Sequence, residues 1–173
     1  MICPDCGHDN IAGVDTCEAC GQPLVEFDPS GTELEQSITR HSIKVLLPPT
    51  PISIQADATV REAIRVMVEN RIGCLLVEEG GQLTGVFTER DVLNKIALET
   101  ANLDGPVSTF MTRSPETITA RDSIAYALHA MDVGGYRHIP IVTDSQRPTG
   151  IISVRDILRF LCARFAEVRP HPQ

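Results

Sequence analysis

Four of the six cysteines in this chain fall within eighteen residues, as Cys3-x-x-Cys6 and Cys17-x-x-Cys20, with a glycine (Gly7, Gly21) directly after each pair. A C-x-x-C turn aims two sulfurs at one point, and the glycine relieves the steric cost of the tight turn while backbone amides approach the thiolates. Two such turns supply the donor set of a closed tetrahedral zinc site, so Cys3, Cys6, Cys17 and Cys20 are the candidate metal ligands. The competing readings are disulfides, which a chain without an export signal rarely forms, and a redox pair, which needs no second copy. Four thiolates leave no open position, so the metal reads as structural rather than catalytic. A segment of about 24 residues buries too little to fold unaided, and metal binding then supplies its folding energy. His8 reads as a surface side chain; Cys74 and Cys162, in apolar settings, read as small core residues.

A second set of candidate groups occurs twice. Thr88 stands three residues before Asp91, and Ser153 three before Asp156, each directly after a short apolar run. Where a strand turns into a helix, such a carboxylate can accept two hydrogen bonds from sugar hydroxyls, while the Thr or Ser hydroxyl and the helix amino-terminal amides face phosphate. The same spacing also describes a plain capping box with no ligand. Arg137 and His138 stand just before Ile139-Pro140-Ile141-Val142, where the first copy has Gly73 and Cys74. Arginine offers a fixed fork of donors and histidine gains a proton beside an anion, so the pair suits phosphate. The alternative is a solvated strand entrance.

These residues are positioned by an internal repeat. Thr84-Gly85-Val86-Phe87-Thr88-Glu89-Arg90-Asp91-Val92-Leu93 recurs sixty-five residues later as Thr149-Gly150-Ile151-Ile152-Ser153-Val154-Arg155-Asp156-Ile157-Leu158. Upstream the offset is sixty-four: Val60, Ala63, Ile64 and Met67 match Ile124, Ala127, Leu128 and Met131. Each set has the i, i+3, i+4, i+7 spacing of a buried helical stripe, which makes both methionines core filler. Each copy predicts a strand (Ile52 to Ile54; Thr117 to Thr119), a helix, a strand (Cys74 to Val77; Ile139 to Val142), a strand ending at Thr88 or Ser153, and a closing helix. One copy offers little interior alone; two packed face to face can share a core.

The duplicated Gly-apolar-apolar-(Thr/Ser)-x-x-Asp element, with its preceding apolar strand, resembles the CBS domain pair, or Bateman module, over roughly residues 47 to 165. The resemblance implies an α/β fold of two β-α-β-β-α repeats related by a pseudo-twofold axis. It also implies two clefts for adenosine-bearing ligands such as AMP, ADP, ATP or S-adenosylmethionine, and further pairing into a homodimer. Carried over, the ribose of one ligand goes to Asp156 with Ser153, and its adenine to Pro51, Ile52 and Ile72. The other cleft joins Asp91 and Thr88 to Pro115, Glu116 and Tyr136. Arg137 and His138 resemble the adjacent basic pair with which the gamma subunit of AMP-activated protein kinase holds phosphate. The Asp156 cleft is therefore expected to take a phosphorylated ligand and the Asp91 cleft to bind weakly or prefer less charge, an asymmetry that Arg90 and Arg113 soften. Residues 1–24 resemble the zinc-ribbon heads attached to many bacterial and archaeal proteins.

The expected organisation is a zinc ribbon (1–24), a linker (25–46) whose end from Ser42 to Leu47 adds a strand or lies along the next domain, two repeats (47–103 and 104–165) and a tail (166–173). The net charge of −8 is uneven: residues 1–35 carry eight acidic side chains and no Lys or Arg, and the remainder balances at fifteen each. That end repels phosphate backbones, which argues against nucleic acid and against a transcription-linked ribbon. No secretory signal and no apolar run near 20 residues is present, so a cytoplasmic location without a membrane is the default expectation. No Ser-His-acid order or phosphate loop with lysine suggests an enzyme. The leading expectation is a ligand-gated regulator whose ribbon engages a protein partner. The alternative is a constitutive assembly module with empty clefts.

Overall fold

The computed structural model describes residues 3, 6–11, 14, 16–21, 33–97 and 100–168. Helix α1 (Glu33–Arg40) and a 3-10 turn (Ile43–Leu46) lead into β1 (Ser53–Gln55), α2 (Val60–Asn70), β2 (Cys74–Glu79) and β3 (Gln82–Thr88). The short α3 (Glu89–Asp91) runs into a π-turn (Val92–Ile96), followed by a 3-10 turn (Thr100–Asp104), α4 (Val107–Phe110) and β4 (Thr112–Arg113). Then come α5 (Ile124–Gly134), β5 (His138–Val142), β6 (Pro148–Ser153) and α6 (Val154–Val168).

The predicted helices form where their apolar stripes and caps agree. Thr59 Oγ1 accepts the Glu62 N–H (3.2 Å) to open α2, and Ser123 Oγ accepts the Tyr126 N–H (3.1 Å) to open α5. Both helices end in the left-handed region, at Arg71 (φ 55°) and Gly135 (φ 64°).

The first sheet has the order β1-β2-β3-β4, parallel between β1 and β2 and antiparallel thereafter. Its counterpart keeps only β5 and β6, with Ile118 bridging Ile141 where the strand Thr117 to Thr119 is expected. Proline explains the loss. In the first copy the Leu76 N–H donates to the Ile52 carbonyl (3.2 Å), and Pro140, at the equivalent position, has no N–H to give. Likewise Pro48 and Pro49 stand where Thr112 and Arg113 form β4, and two prolines cannot extend a ladder.

In place of one shared core the molecule has two, each completed by the segment that precedes the other copy. Ile43, with Ile38 and Leu46 beside it, packs among Ile118, Ile124, Met131, Ile139 and Ile157. Val107 and Met111 pack among Val60, Met67, Leu75 and Phe87. The backbone repeats this exchange at an offset of sixty-four. Ile43 N–H donates to the Asp122 carbonyl (2.9 Å) as Val107 N–H does to Ala58 (2.8 Å). Ile124 N–H reaches His41 (3.0 Å) as Val60 N–H reaches Gly105 (3.0 Å). Within the stretch 25–46, read as linker, residues 33–46 therefore include a helix and a turn docked on the second copy. Ser42 bridges Ser123, so this end lies along the domain and adds no strand. The Ile43→Ala substitution is expected to lower unfolding stability by about 3 kcal/mol, read as a fall of several degrees in thermal denaturation. An inert tether would show no change.

The repeated Thr-Gly is explained by the same crossing. A side chain on Gly85 would meet Met111 and the Thr112 carbonyl (2.9 Å), and one on Gly150 would meet Ile141 (3.1 Å) and Pro48 (3.3 Å). Cys74 and both stripe methionines are buried as expected. Cys162 is exposed, a correction. The inward face of α6 carries Ile157, Phe160 and Leu161, and Cys162 falls on the outer stripe with Leu158 and Phe165.

Candidate ligand cleft and metal centre

At the amino terminus the four cysteine sulfurs lie within 4.8 Å of one another, with Cys3 and Cys17 buried and Cys6 and Cys20 exposed. Cys3 and Cys20 Sγ are 3.7 Å apart, and Cys6 and Cys17 Sγ 3.5 Å. Four sulfurs at the usual zinc–sulfur distance of about 2.3 Å would be separated by about 3.8 Å, whereas a disulfide needs about 2.05 Å. The donors present fit a zinc ion. Each turn closes alike, Gly7 N–H on the Cys3 carbonyl (2.9 Å) and Gly21 N–H on Cys17 (2.8 Å), with φ of 72° and 71°. Burial pushes the Cys17 thiol up, but the N–H groups of Cys20 and Ala19 at its sulfur outweigh this and bring it down to about 6. Asn10, which sequence reading passed over, is buried and ties the turns together. It donates to the His8 carbonyl (3.0 Å) and accepts the Glu18 N–H (3.0 Å). His8 itself is exposed.

In the repeats both carboxylates stand at helix entrances. Asp91 Oδ2 accepts the Thr88 N–H (2.9 Å) and hydroxyl (2.6 Å); Asp156 Oδ2 accepts the Ser153 N–H (2.9 Å) and hydroxyl (2.6 Å). The two sites part at the second oxygen. Asp91 Oδ1 takes the Lys95 ammonium at 2.6 Å, and its side chain is 8% exposed. Asp156 Oδ1 has only Arg159 at 3.4 Å, itself 79% exposed, and the Asp156 side chain is 25% exposed. One acid is enclosed and neutralised, while the other faces outward with a loosely held oxygen.

Strand register brings the basic pair to the open acid. His138 lies opposite Ser153, and the Arg137 carbonyl accepts the Val154 N–H (3.0 Å). Arg137, His138, Ser153 and Asp156 therefore meet at one end of β5, β6 and α6. Burial lowers the pKa of the half-buried His138; Glu89 pulls it up, Arg137 down, Asp156 up and Arg155 down. The charged imidazolium is thus disfavoured, and the ring sits among two carboxylates and two guanidinium groups. In the first copy Cys74 lies opposite Thr88, its thiol pushed up to about 12 by burial and by the Asp91 charge. A Cβ on Gly73 would come within 3.1 Å of the Glu89 carboxylate, the end of an exposed side chain that can give way.

The remaining expected residues lie on other elements. Ile52 and Ile72 are partly buried against the first core, with Pro51 half-buried beside Ile52. Glu116 and Tyr136 are exposed, and the Tyr136 ring folds back over Gly134. Arg113 donates to the Ser108 carbonyl (2.8 Å), so its charge is spent in its own loop. Lys95 and Glu89 were not singled out from sequence. The i, i+4 acid-to-lysine spacing from Asp91 was the signal for the first; the second had none.

Two segments, residues 45–98 and 107–163, match the family model of the CBS domain. The chain belongs to the CBS-domain family. An uncharacterised 17.7 kDa protein of Acidianus ambivalens is 32% identical over 109 residues, 62% of this chain and 65% of that protein. A CBS domain protein from Pyrobaculum aerophilum, solved complexed with AMP, superposes with a TM-score of 0.65 at 26% identity, covering 73% of this chain and 99% of that one. The CBS domain pair of protein MJ0100, solved with 5-methylthioadenosine and S-adenosyl-L-methionine, gives 0.61 at 25% identity, covering 69% and 98%. The chain matches as little as 20% of the length of some curated relatives, so the CBS pair is shared with much larger proteins. Several relatives are CBS domain-containing proteins, and some are enzymes that share the module, such as an arabinose 5-phosphate isomerase of Francisella tularensis, 26% identical over 61% of this chain and 32% of that protein. No helix among the described residues is long and apolar enough to cross a membrane.

Proposed function

We propose that this CBS pair is a non-catalytic regulatory module that holds a phosphorylated adenosine ligand, AMP foremost with ADP and ATP as competitors, in the cleft at Asp156. The observation that carries the reading is the difference between the two acids. Asp156 keeps an accessible oxygen beside Ser153, Arg137 and His138, whereas Asp91 is enclosed and paired. Asp156 receives the ribose hydroxyls, the basic pair receives phosphate, and Pro51, Ile52 and Ile72 offer partly exposed apolar surface for adenine. The Asp91 cleft, with Thr88, Glu116 and Tyr136, binds weakly. AMP in the P. aerophilum relative supports the ligand class. Ligand binding then shifts the packing of the two halves, which already touch where the Leu83 N–H donates to the Gln146 carbonyl (3.0 Å).

The outer faces support self-association into a homodimer. Leu93 and Leu158 occupy equivalent positions and are 68% and 52% exposed, and Phe165 continues the stripe on α6. The four-cysteine element, as a rigid acidic head, serves a protein partner.

Calorimetry and thermal denaturation with AMP test this. At a hundred times its dissociation constant the ligand adds about 2.7 kcal/mol, several degrees of melting temperature. A phosphate beside His138 favours the imidazolium that burial disfavours, so binding takes up a proton and affinity rises as pH falls toward and below the imidazole's ordinary value of about 6.5. An assembly module that never binds nucleotide shows neither effect.

A further inference from the structure

The helix that Asp91 opens does not continue as its twin does. After one turn of α3 the chain widens into a π-turn, Val92–Ile96, with the Ala97 N–H on the Val92 carbonyl five residues back (2.9 Å). α6, opened by the same Ser/Thr-x-x-Asp element, runs unbroken through 15 residues. Single π-turns are rare and are found mostly at functional sites. The one here contains Lys95, four residues after Asp91. Its ammonium is 2.6 Å from Asp91 Oδ1 and 2.6 Å from the Phe110 carbonyl, while Asn102 Nδ2 donates to the Lys95 carbonyl (3.2 Å). The equivalent residue of the second copy is Phe160, whose ring meets His41 edge-on and leaves Asp156 alone.

A carboxylate that holds a ligand's hydroxyls must have free lone pairs and an approach. Asp91 has little of either, since Thr88 takes Oδ2 twice, Lys95 takes one of the two lone pairs on Oδ1, and 8% of the side chain remains exposed. We propose that Lys95 is a built-in plug, occupying the Asp91 carboxylate as ligand hydroxyls would, so that the chain offers one competent cleft and holds a second in reserve. The inference rests on the nucleotide reading above. The plug also joins Asp91 to α4, since the same ammonium donates to the Phe110 carbonyl.

Calorimetry with AMP and with adenosine on the full chain, as wild type, Lys95→Met and Lys95→Gln, tests it. The wild type is expected to bind one ligand per chain, and both variants two. The new site tightens by roughly tenfold or more over any residual wild-type binding there, and it disappears again when Asp91→Asn is added. The glutamine variant keeps a hydrogen-bonding end near Asp91 and guards against loss of fold, read from cooperative melting and an unchanged Asp156 site. A folded variant that still binds a single ligand overturns the plug and leaves the nucleotide reading standing. A wild type that already fills both clefts also overturns it. A wild type that binds neither probe overturns the nucleotide reading, and the plug with it.

Discussion

Asp156→Ala is expected to abolish AMP binding while Asp91→Ala leaves it within about twofold, and the same two substitutions are expected to rank the other way in stability. Hydrogen bonds to a charged group contribute about 1.5–3 kcal/mol each, so removing the acceptor of two ribose hydroxyls weakens binding by roughly a hundredfold or more. Both variants lose a helix cap, about 1 kcal/mol. Asp91 stands to lose more, because its carboxylate is buried and joins Thr88, Lys95 and through it Phe110. Removing it leaves the Lys95 ammonium without its counter-charge. Calorimetry reads the first ranking and thermal denaturation the second. If Asp91→Ala alone removed nucleotide binding, the dominant cleft would have to be reassigned. Arg137→Ala refines the result: it should weaken AMP and spare adenosine, since the guanidinium meets only the phosphate.

The repeat was legible because it is written twice at one offset. Helix stripes, the apolar strands and the Thr/Ser-to-Asp caps are local patterns, and local patterns survive translation along the chain. The exchange of leading segments was not legible, because Ile43 and Val107 repeat at sixty-four residues whichever copy they pack against. Distance in sequence carries no information on which core closes over them. The missing strand could have been read from Pro140, whose absent N–H is a chemical fact of the residue. Helix α1 escaped because its eight residues hold a single apolar i,i+4 pair, Leu34 and Ile38, too short a stripe to stand out among acids and turn formers; contact with α5 and α6 orders it. The candidate site divides in the same way. Both acids and the basic pair could be named from spacing, and so could the interval from Asp91 to Lys95, but a residue pattern does not show one ammonium held by Asp91 and the Phe110 carbonyl together. Asn10 illustrates the same limit, since a lone asparagine between two knuckles looks like any turn former until its two hydrogen bonds are seen.

Removing metal should unfold the amino-terminal element and leave the repeats intact. Among the described residues the only apolar cluster there is Cys3, Cys17 and Val14. Ordering a backbone costs about 1–2 kcal/mol per residue, far more than three side chains return, whereas zinc held by four thiolates supplies about 10–16 kcal/mol at pH 7. Purified protein is therefore expected to carry one zinc per chain by elemental analysis. A strong chelator or Cys17→Ser should release it and open residues 1–24 to protease. Cys17 is the most telling ligand to change because its sulfur is buried and, in the folded turn, the N–H groups of Cys20 and Ala19 favour the thiolate that binds metal. Cys162→Ser is the control, since that exposed thiol on α6 lies outside the four-sulfur cluster. The melting of the repeats should be unchanged by either treatment, because among the described residues their two cores draw none from the cysteine element. Chelated protein that kept its amino-terminal protection would mean that something other than metal folds that segment, and the sulfur spacing of 3.5–3.7 Å would need another cause.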